Sequence, residues 1–73
     1  MKNRLKIIRA ERDITQEQLA QMSGIARTTL HLIESEKVVP DGKTIAKLVS
    51  ALGIPANLIF FDLDVVRKQQ TAK

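Results

Sequence analysis

The residue types that support catalysis or metal binding are scarce in this sequence. Its 73 residues include no cysteine and one histidine, His31. Glu34 follows His31 at a spacing of three, which does not make a zinc motif, and no nucleophile is paired with a base. We therefore expect neither an enzyme, nor a metal site, nor a cofactor.

A different chemistry is available on the short segment GIARTTLHLIE, residues 24–34. When this segment is drawn as a helix, its outward face carries Arg27, Thr28, His31 and Leu32 in place of the usual lysines and glutamates. These side chains offer hydrogen-bond donors, acceptors and an apolar surface to a partner. The net charge of +4 favours an anionic partner, although the basic residues are spread along the chain.

Apolar spacing and capping residues predict the elements that must position this face. Helices are expected over residues 2–12, 16–23, 26–35 and 42–52, with a fifth helix that has Pro55 in its first turn. Thr15 and Gln18 form a capping-box pattern, and Asp41 suits the cap of the fourth helix. Gly24 suits the reversal between the second and third helices.

The predicted fold class is all-α, a compact bundle of five short helices, because no alternating strand pattern occurs. We assign residues 1–61 to one domain and residues 62–73 to a C-terminal helical extension. The residues expected to face the interior include Leu5, Ile8, Ala20, Ile25, Ala26, Leu30, Ile33, Ile45, Leu48, Val49 and Leu52. Without a membrane span, signal peptide or cysteine, a cytoplasmic location is expected.

The segment ITQEQLAQMSGIARTTLHLIE, residues 14–34, closely resembles the helix-turn-helix of the XRE family of phage-repressor and Cro-like DNA-binding domains. The match continues through LKIIR near the N-terminus and VPDGKTIAKLVSALGIPANLIF after the third helix. Small Ala20 suits the close crossing of the two central helices. The resemblance implies a lambda-repressor-like domain whose third helix enters the major groove of DNA.

The family places base-reading side chains at Arg27, Thr28, His31 and Leu32 of this sequence. Two of these roles stay open. Arg27 has the chemistry to pair with guanine or to hold a phosphate, and Leu32 either packs on a thymine methyl or is an ordinary exposed leucine. For His31, a position at the rim of the DNA groove or in solvent fits better than metal binding.

The resemblance also implies phosphate contacts and a structural ion pair. The expected phosphate-binding residues are Gln16, Ser35, Lys37 and Lys43. Arg9 and Glu34 align with a family ion pair that joins the first helix to the end of the third, although two solvated surface charges remain the alternative.

This sequence departs from the family pattern at two positions. Ala26 stands where serine or threonine often caps the third helix, and Glu36 stands where glycine is frequent. The first change removes a helix cap, and the second places an acidic group near the expected phosphates.

Family members often bind a palindromic operator as dimers, with two third helices about 34 Å apart. The homodimer interface is expected at Ile59, Phe60, Phe61, Leu63 and Val66. Alternatively, these residues close the monomer core, as Leu58 and one phenylalanine are expected to do. The implied function is a sequence-specific DNA-binding transcriptional regulator, a repressor or controller. The alternative is an antitoxin-like protein whose main role is binding a partner protein, with DNA binding secondary.

Overall fold

The computed structural model describes residues 1–61. In this part the chain forms five α-helices: α1 Leu5–Arg12, α2 Gln16–Ser23, α3 Arg27–Glu34, α4 Gly42–Leu52 and α5 Ala56–Ile59. The described residues contain no β-strand, so the predicted all-α class is confirmed. No helix in this part is both long enough and apolar enough to cross a bilayer. The predicted helical extension, 62–73, lies outside the described residues.

The ends of α2 form as the sequence predicts. Thr15 Oγ1 accepts a hydrogen bond from the Gln18 N–H at 3.0 Å, and Gln18 Oε1 accepts one from the Thr15 N–H at 2.8 Å. This capping box satisfies two backbone donors that the helix itself leaves unpaired. Gly24 follows α2 with a φ of +72°, a conformation that costs glycine little. The chain therefore reverses tightly, and α3 begins three residues later, at Arg27.

The core lies where α2 packs against α3 and α4, with α5 packed on α4. Ala20 is 5% exposed, in the interior position expected for a small residue between closely packed helices. Ile14, Ile25, Ile45 and Val49 are partly buried against the core. The buried apolar residues are Leu5, Ile8, Leu19, Ala20, Leu30, Ile33, Leu48, Leu52, Ile59 and Phe60.

The start of α1 differs from the sequence prediction, which placed it at residue 2. The helix begins at Leu5, whose N–H donates to Asn3 Oδ1 at 3.0 Å. The residues before it pair with the end of α5 instead. The Arg4 N–H donates to the Ile59 carbonyl at 2.9 Å, and Asn3 forms an isolated β-bridge with Phe60. At Asn3 and Arg4, long-range backbone pairing therefore replaces the predicted helical conformation.

The fifth helix is shorter than predicted. It ends at Ile59, and Phe60 has extended backbone angles. Pro55 precedes the helix at its N-cap and does not lie in its first turn. Ile59 and Phe60 are 0% exposed, whereas Leu58, which was expected in the core, is 50% exposed. The assignment of Ile59 and Phe60 to a dimer interface is therefore wrong, because the monomer core buries both side chains.

Ala26 is a further correction. It was expected to face the interior with Leu30 and Ile33, which are 0% and 1% exposed. Ala26 is instead exposed at the N-cap of α3, and no side chain caps this helix. The cap residue lies outside the helical backbone, so helical spacing does not fix its direction.

Candidate nucleic-acid interface

The exposed side of α3 and the first residue of α2 together line a concave surface, which we call the α3 cleft. Its volume is about 450 Å³, and its lining residues are Gln16, Arg27, Thr28, His31 and Leu32. Four of these residues are the ones that the sequence analysis singled out as base-reading. The fifth, Gln16, was expected to contact phosphate. The fold therefore brings both groups to one surface.

Helical spacing explains why α3 presents this surface. Leu30 and Ile33 point into the core and hold the helix against α2. Arg27, Thr28 and His31 are then left on the outer side, where all three are exposed. Their side chains make no hydrogen bond or ion pair with other residues of the described part. The donors and acceptors of these side chains are accordingly available to a ligand.

Leu32 contributes an apolar surface to the α3 cleft. Its side chain is 38% exposed and lies beside the polar groups of Arg27, Thr28 and His31. A leucine in this position offers contact to a methyl or methylene group and no hydrogen bond. The cleft therefore combines polar readout with one apolar contact.

A buried carboxylate lies behind the cleft. The Glu34 side chain is 0% exposed, and its two oxygens accept hydrogen bonds from Arg9 Nε at 2.7 Å and Arg9 Nη2 at 2.9 Å. These hydrogen bonds raise the pKa of Arg9 above its ordinary value. Arg9 and Glu34 thus form a bidentate ion pair in a partly buried site, not two separate solvated charges.

Gln16 joins this ion pair from the start of α2. Its Nε2 donates a hydrogen bond to Glu34 Oε1 at 3.1 Å. The Arg9 guanidinium also reaches the Ile14 carbonyl through Nη1 at 3.4 Å. Side chains from α1 and α2 therefore converge on one carboxylate of α3, beside the cleft-lining Gln16.

The other three expected phosphate-binding residues lie outside the lining of the cleft. The Ser35 hydroxyl donates to the His31 carbonyl within the last turn of α3. Lys37 and Lys43 are exposed in the α3–α4 connection and the first turn of α4. Asp41 lies between them in sequence and caps α4 through the Thr44 N–H at 2.8 Å. After α3 the structure thus exposes two cations, Lys37 and Lys43, whereas the Ser35 hydroxyl is already engaged within the helix end.

Sequence reasoning missed the roles of Asn3 and of the Gln16–Glu34 bond. Asn3 Nδ2 donates to the Ile33 carbonyl at 2.9 Å, while its Oδ1 accepts from Leu5, so one side chain links the end of α3 to the start of α1. The partners in these contacts are 30 and 18 residues apart. No local pattern carries such a signal. An asparagine two residues before a helix is the only local hint.

Comparison with known proteins identifies the family of this chain. A helix-turn-helix family model matches residues 5–59. The immunity repressor protein of Bacillus phage phi105 is 34% identical over 67 residues, which cover 92% of this chain but 46% of the repressor. An uncharacterized HTH-type transcriptional regulator of Methanocaldococcus jannaschii is 40% identical over 60 residues, covering 82% of this chain and 91% of that protein. Neither relative is named as an enzyme. Because the family model covers most of the sequence, and both relatives support it, this chain belongs to the XRE-type helix-turn-helix family of transcriptional regulators.

Proposed function

We propose that this domain binds double-stranded DNA sequence-specifically and regulates transcription, with α3 in the major groove. The observation that carries the proposal is the exposed, unpaired polar face of α3, which shares one cleft with Gln16. A helix with its side chains is about 10–12 Å across, and the major groove is about 12 Å wide. A cytoplasmic location is part of the proposal, because a transcriptional regulator acts where its operator DNA lies.

Arg27, Thr28, His31 and Leu32 are the proposed base-reading residues. Arg27 and Thr28 open α3, so they would enter the groove first, and His31 and Leu32 follow one turn later. An arginine fork matches guanine O6 and N7, and a leucine matches the methyl of thymine. We therefore propose that Arg27 and Leu32 contribute most to the choice of sequence.

Phosphate contacts are proposed at Gln16, Ser35, Lys37 and Lys43. The N-terminal end of α2 lies at Gln16, where outward N–H groups favour an anion. Lys37 and Lys43 are exposed cations beyond the other end of α3. Ser35 would have to turn its hydroxyl away from the His31 carbonyl to donate to a phosphate.

A palindromic operator bound by a homodimer completes the proposal. One α3 reads only a few base pairs, and two copies would lie about one DNA turn, ~34 Å, apart. With Ile59 and Phe60 assigned to the core, the proposed interface comprises half-buried Phe61, together with Leu63 and Val66 beyond the described residues. By similarity to the phage immunity repressor, we propose repression as the regulatory outcome.

Selection of bound sequences from a random DNA pool tests these assignments. The wild-type chain should enrich two inverted half-sites with centres about 10–10.5 base pairs apart. Arg27→Ala and Leu32→Ala should each relax the preference at different positions of the half-site. Each lost contact should weaken binding by about 1–3 kcal/mol.

Two exposed residues outside the cleft provide matched controls. Lys47→Ala removes a positive charge on α4, and Met22→Ala removes a 51% exposed apolar side chain on α2. Neither should change which bases are enriched. If the Arg27 and Leu32 variants also keep the wild-type preference, the base-reading assignment is wrong. A complete lack of enrichment would argue for the antitoxin-like, partner-binding alternative.

A further inference from the structure

We infer that Glu34 is a positioning residue for the proposed DNA contact: its buried carboxylate holds the Gln16 amide at the edge of the α3 cleft, and Arg9 neutralises that carboxylate. The inference rests on the proposed function. It goes beyond a structural ion pair, because it assigns Glu34 an effect on the DNA contact that Gln16 makes.

The geometry orders Gln16 before any ligand arrives. Glu34 is the last residue of α3, and Gln16 is the first of α2. One amide hydrogen of Gln16 Nε2 points to Glu34 Oε1 at 3.1 Å. Since an amide group is planar, this bond also sets the direction of the second hydrogen and of the amide oxygen. Holding a flexible glutamine in one geometry removes an entropic cost from binding.

The backbone around Gln16 suits an anion. The first helical hydrogen bond of α2 runs from the Leu19 N–H to the Thr15 carbonyl, and the Gln18 N–H is taken by the Thr15 side chain. The N–H groups of Gln16 and Glu17 then point out of the helix end. A phosphate oxygen at this position would meet these groups together with the second amide hydrogen of Gln16.

Arg9 makes this arrangement compatible with DNA. A carboxylate so close to a phosphate-binding side chain would repel the phosphate if it were unpaired. Its two hydrogen bonds to Arg9 neutralise the charge while leaving Oε1 able to accept from Gln16 as well. The ion pair thus supplies an acceptor for Gln16 without a net negative charge.

Side-chain NMR of the free protein tests the first half of the inference. The Gln16 amide signal is assigned by its loss in Gln16→Ala, and its order parameter is compared with that of Gln21, an exposed glutamine on the same helix. Gln16 should be clearly more ordered than Gln21. Equal mobility of the two amides would overturn the inference, whether or not the protein binds DNA.

A mutant cycle tests the second half, using the operator found by selection. Gln16→Ala is measured in the wild-type background and in Arg9→Met/Glu34→Met, where two apolar side chains replace the ion pair and remove the acceptor. Gln16→Ala should weaken binding roughly tenfold in the first background and about twofold or less in the second. Lys43→Ala, a proposed phosphate contact outside the network, should cost the same factor in both.

The outcomes separate this inference from the proposed function. Equal losses for Gln16→Ala in both backgrounds, or no loss in either, would show that Glu34 is structural only. A wild-type chain that binds no DNA would overturn the proposed function, and the positioning role with it. If the paired methionine variant does not fold, the NMR comparison in the wild-type chain still decides whether Gln16 is held in place.

Discussion

At the scale of single residues, Glu36 has a backbone conformation that favours glycine. Its φ is +64°, and it ends α3 with two bonds: the Glu36 N–H donates to the Ile33 carbonyl at 3.0 Å, and the Lys37 N–H to the Leu32 carbonyl at 2.9 Å. This is the Schellman arrangement, in which a residue with a β-carbon is strained. The glycine that the family resemblance leads one to expect at this position has the same physical reason.

We predict that Glu36→Gly raises the free energy of unfolding by about 1 kcal/mol, because it relieves the left-handed strain by more than it increases the entropy of the unfolded chain. Glu36→Gln removes the charge but keeps the β-carbon, and it should leave stability nearly unchanged. Urea denaturation of the three proteins measures both effects. Equal stabilisation by glycine and glutamine would assign the gain to charge and contradict the argument from backbone strain.

At the scale of elements, the N-terminus of α4 depends on one ionised carboxylate. Asp41 Oδ1 accepts the Thr44 N–H at 2.8 Å. Hydrogen bonds from Thr44 lower the pKa of Asp41 below its ordinary value of 3.8, and Lys43 and Lys47 act in the same direction. Because the pKa of Asp41 is lower in the folded state, its ionised carboxylate stabilises the protein at pH values above the ordinary pKa. This contribution is lost as the pH falls from there through the lowered pKa.

Asp41→Asn should therefore destabilise the protein at pH 6, and its deficit should be smaller near pH 3, below the ordinary pKa of 3.8. Asparagine is also a good N-cap, but it carries no charge to interact with Lys43, Lys47 and the helix dipole. Thermal unfolding at both pH values measures the difference. Asp41→Ala removes the cap acceptor itself, so its melting temperature should be lower than that of the wild type at both. A deficit of Asp41→Asn that is equal at both pH values would contradict the role of the charge.

At the scale of the whole molecule, the contacts around Glu34 join three helices of a very small domain. A chain of 73 residues buries a limited core, and a single core in a domain of this size rarely supplies more than about 3–5 kcal/mol. Arg9 supplies the cation for a carboxylate that is 0% exposed. Removing that cation leaves a buried charge without a partner, and this costs more than the loss of an exposed ion pair.

Arg9→Met should accordingly lower the free energy of unfolding by about 3–5 kcal/mol, enough to unfold much of the protein. The matched control is Arg12→Met, which removes an exposed arginine from the last turn of the same helix and should change stability by no more than about 0.5 kcal/mol. Circular dichroism during urea denaturation distinguishes the two. Similar small losses in both variants would show that Glu34 is solvated when Arg9 is absent.

Local sequence determined most of the helices and their ends. The bounds of α2 follow from Thr15, Gln18 and Gly24, and the start of α4 follows from Asp41, because each of these residues acts on backbone groups within four positions of itself. The outward face of α3 also follows from spacing, since Leu30 and Ile33 bury the opposite side. The expected chemistry of that face came from the resemblance to a family.

Only the tertiary structure decided what distant residues do to one another. Asn3 pairs with Phe60, so α1 starts only at Leu5 and the backbone is extended after α5. Phe60 then lies in the core instead of at a dimer surface. Gln16 and Glu34 meet for the same kind of reason, across 18 residues of sequence. A periodic pattern reports which side of a helix is apolar, but it carries no information about which segments come together when several apolar faces share one core.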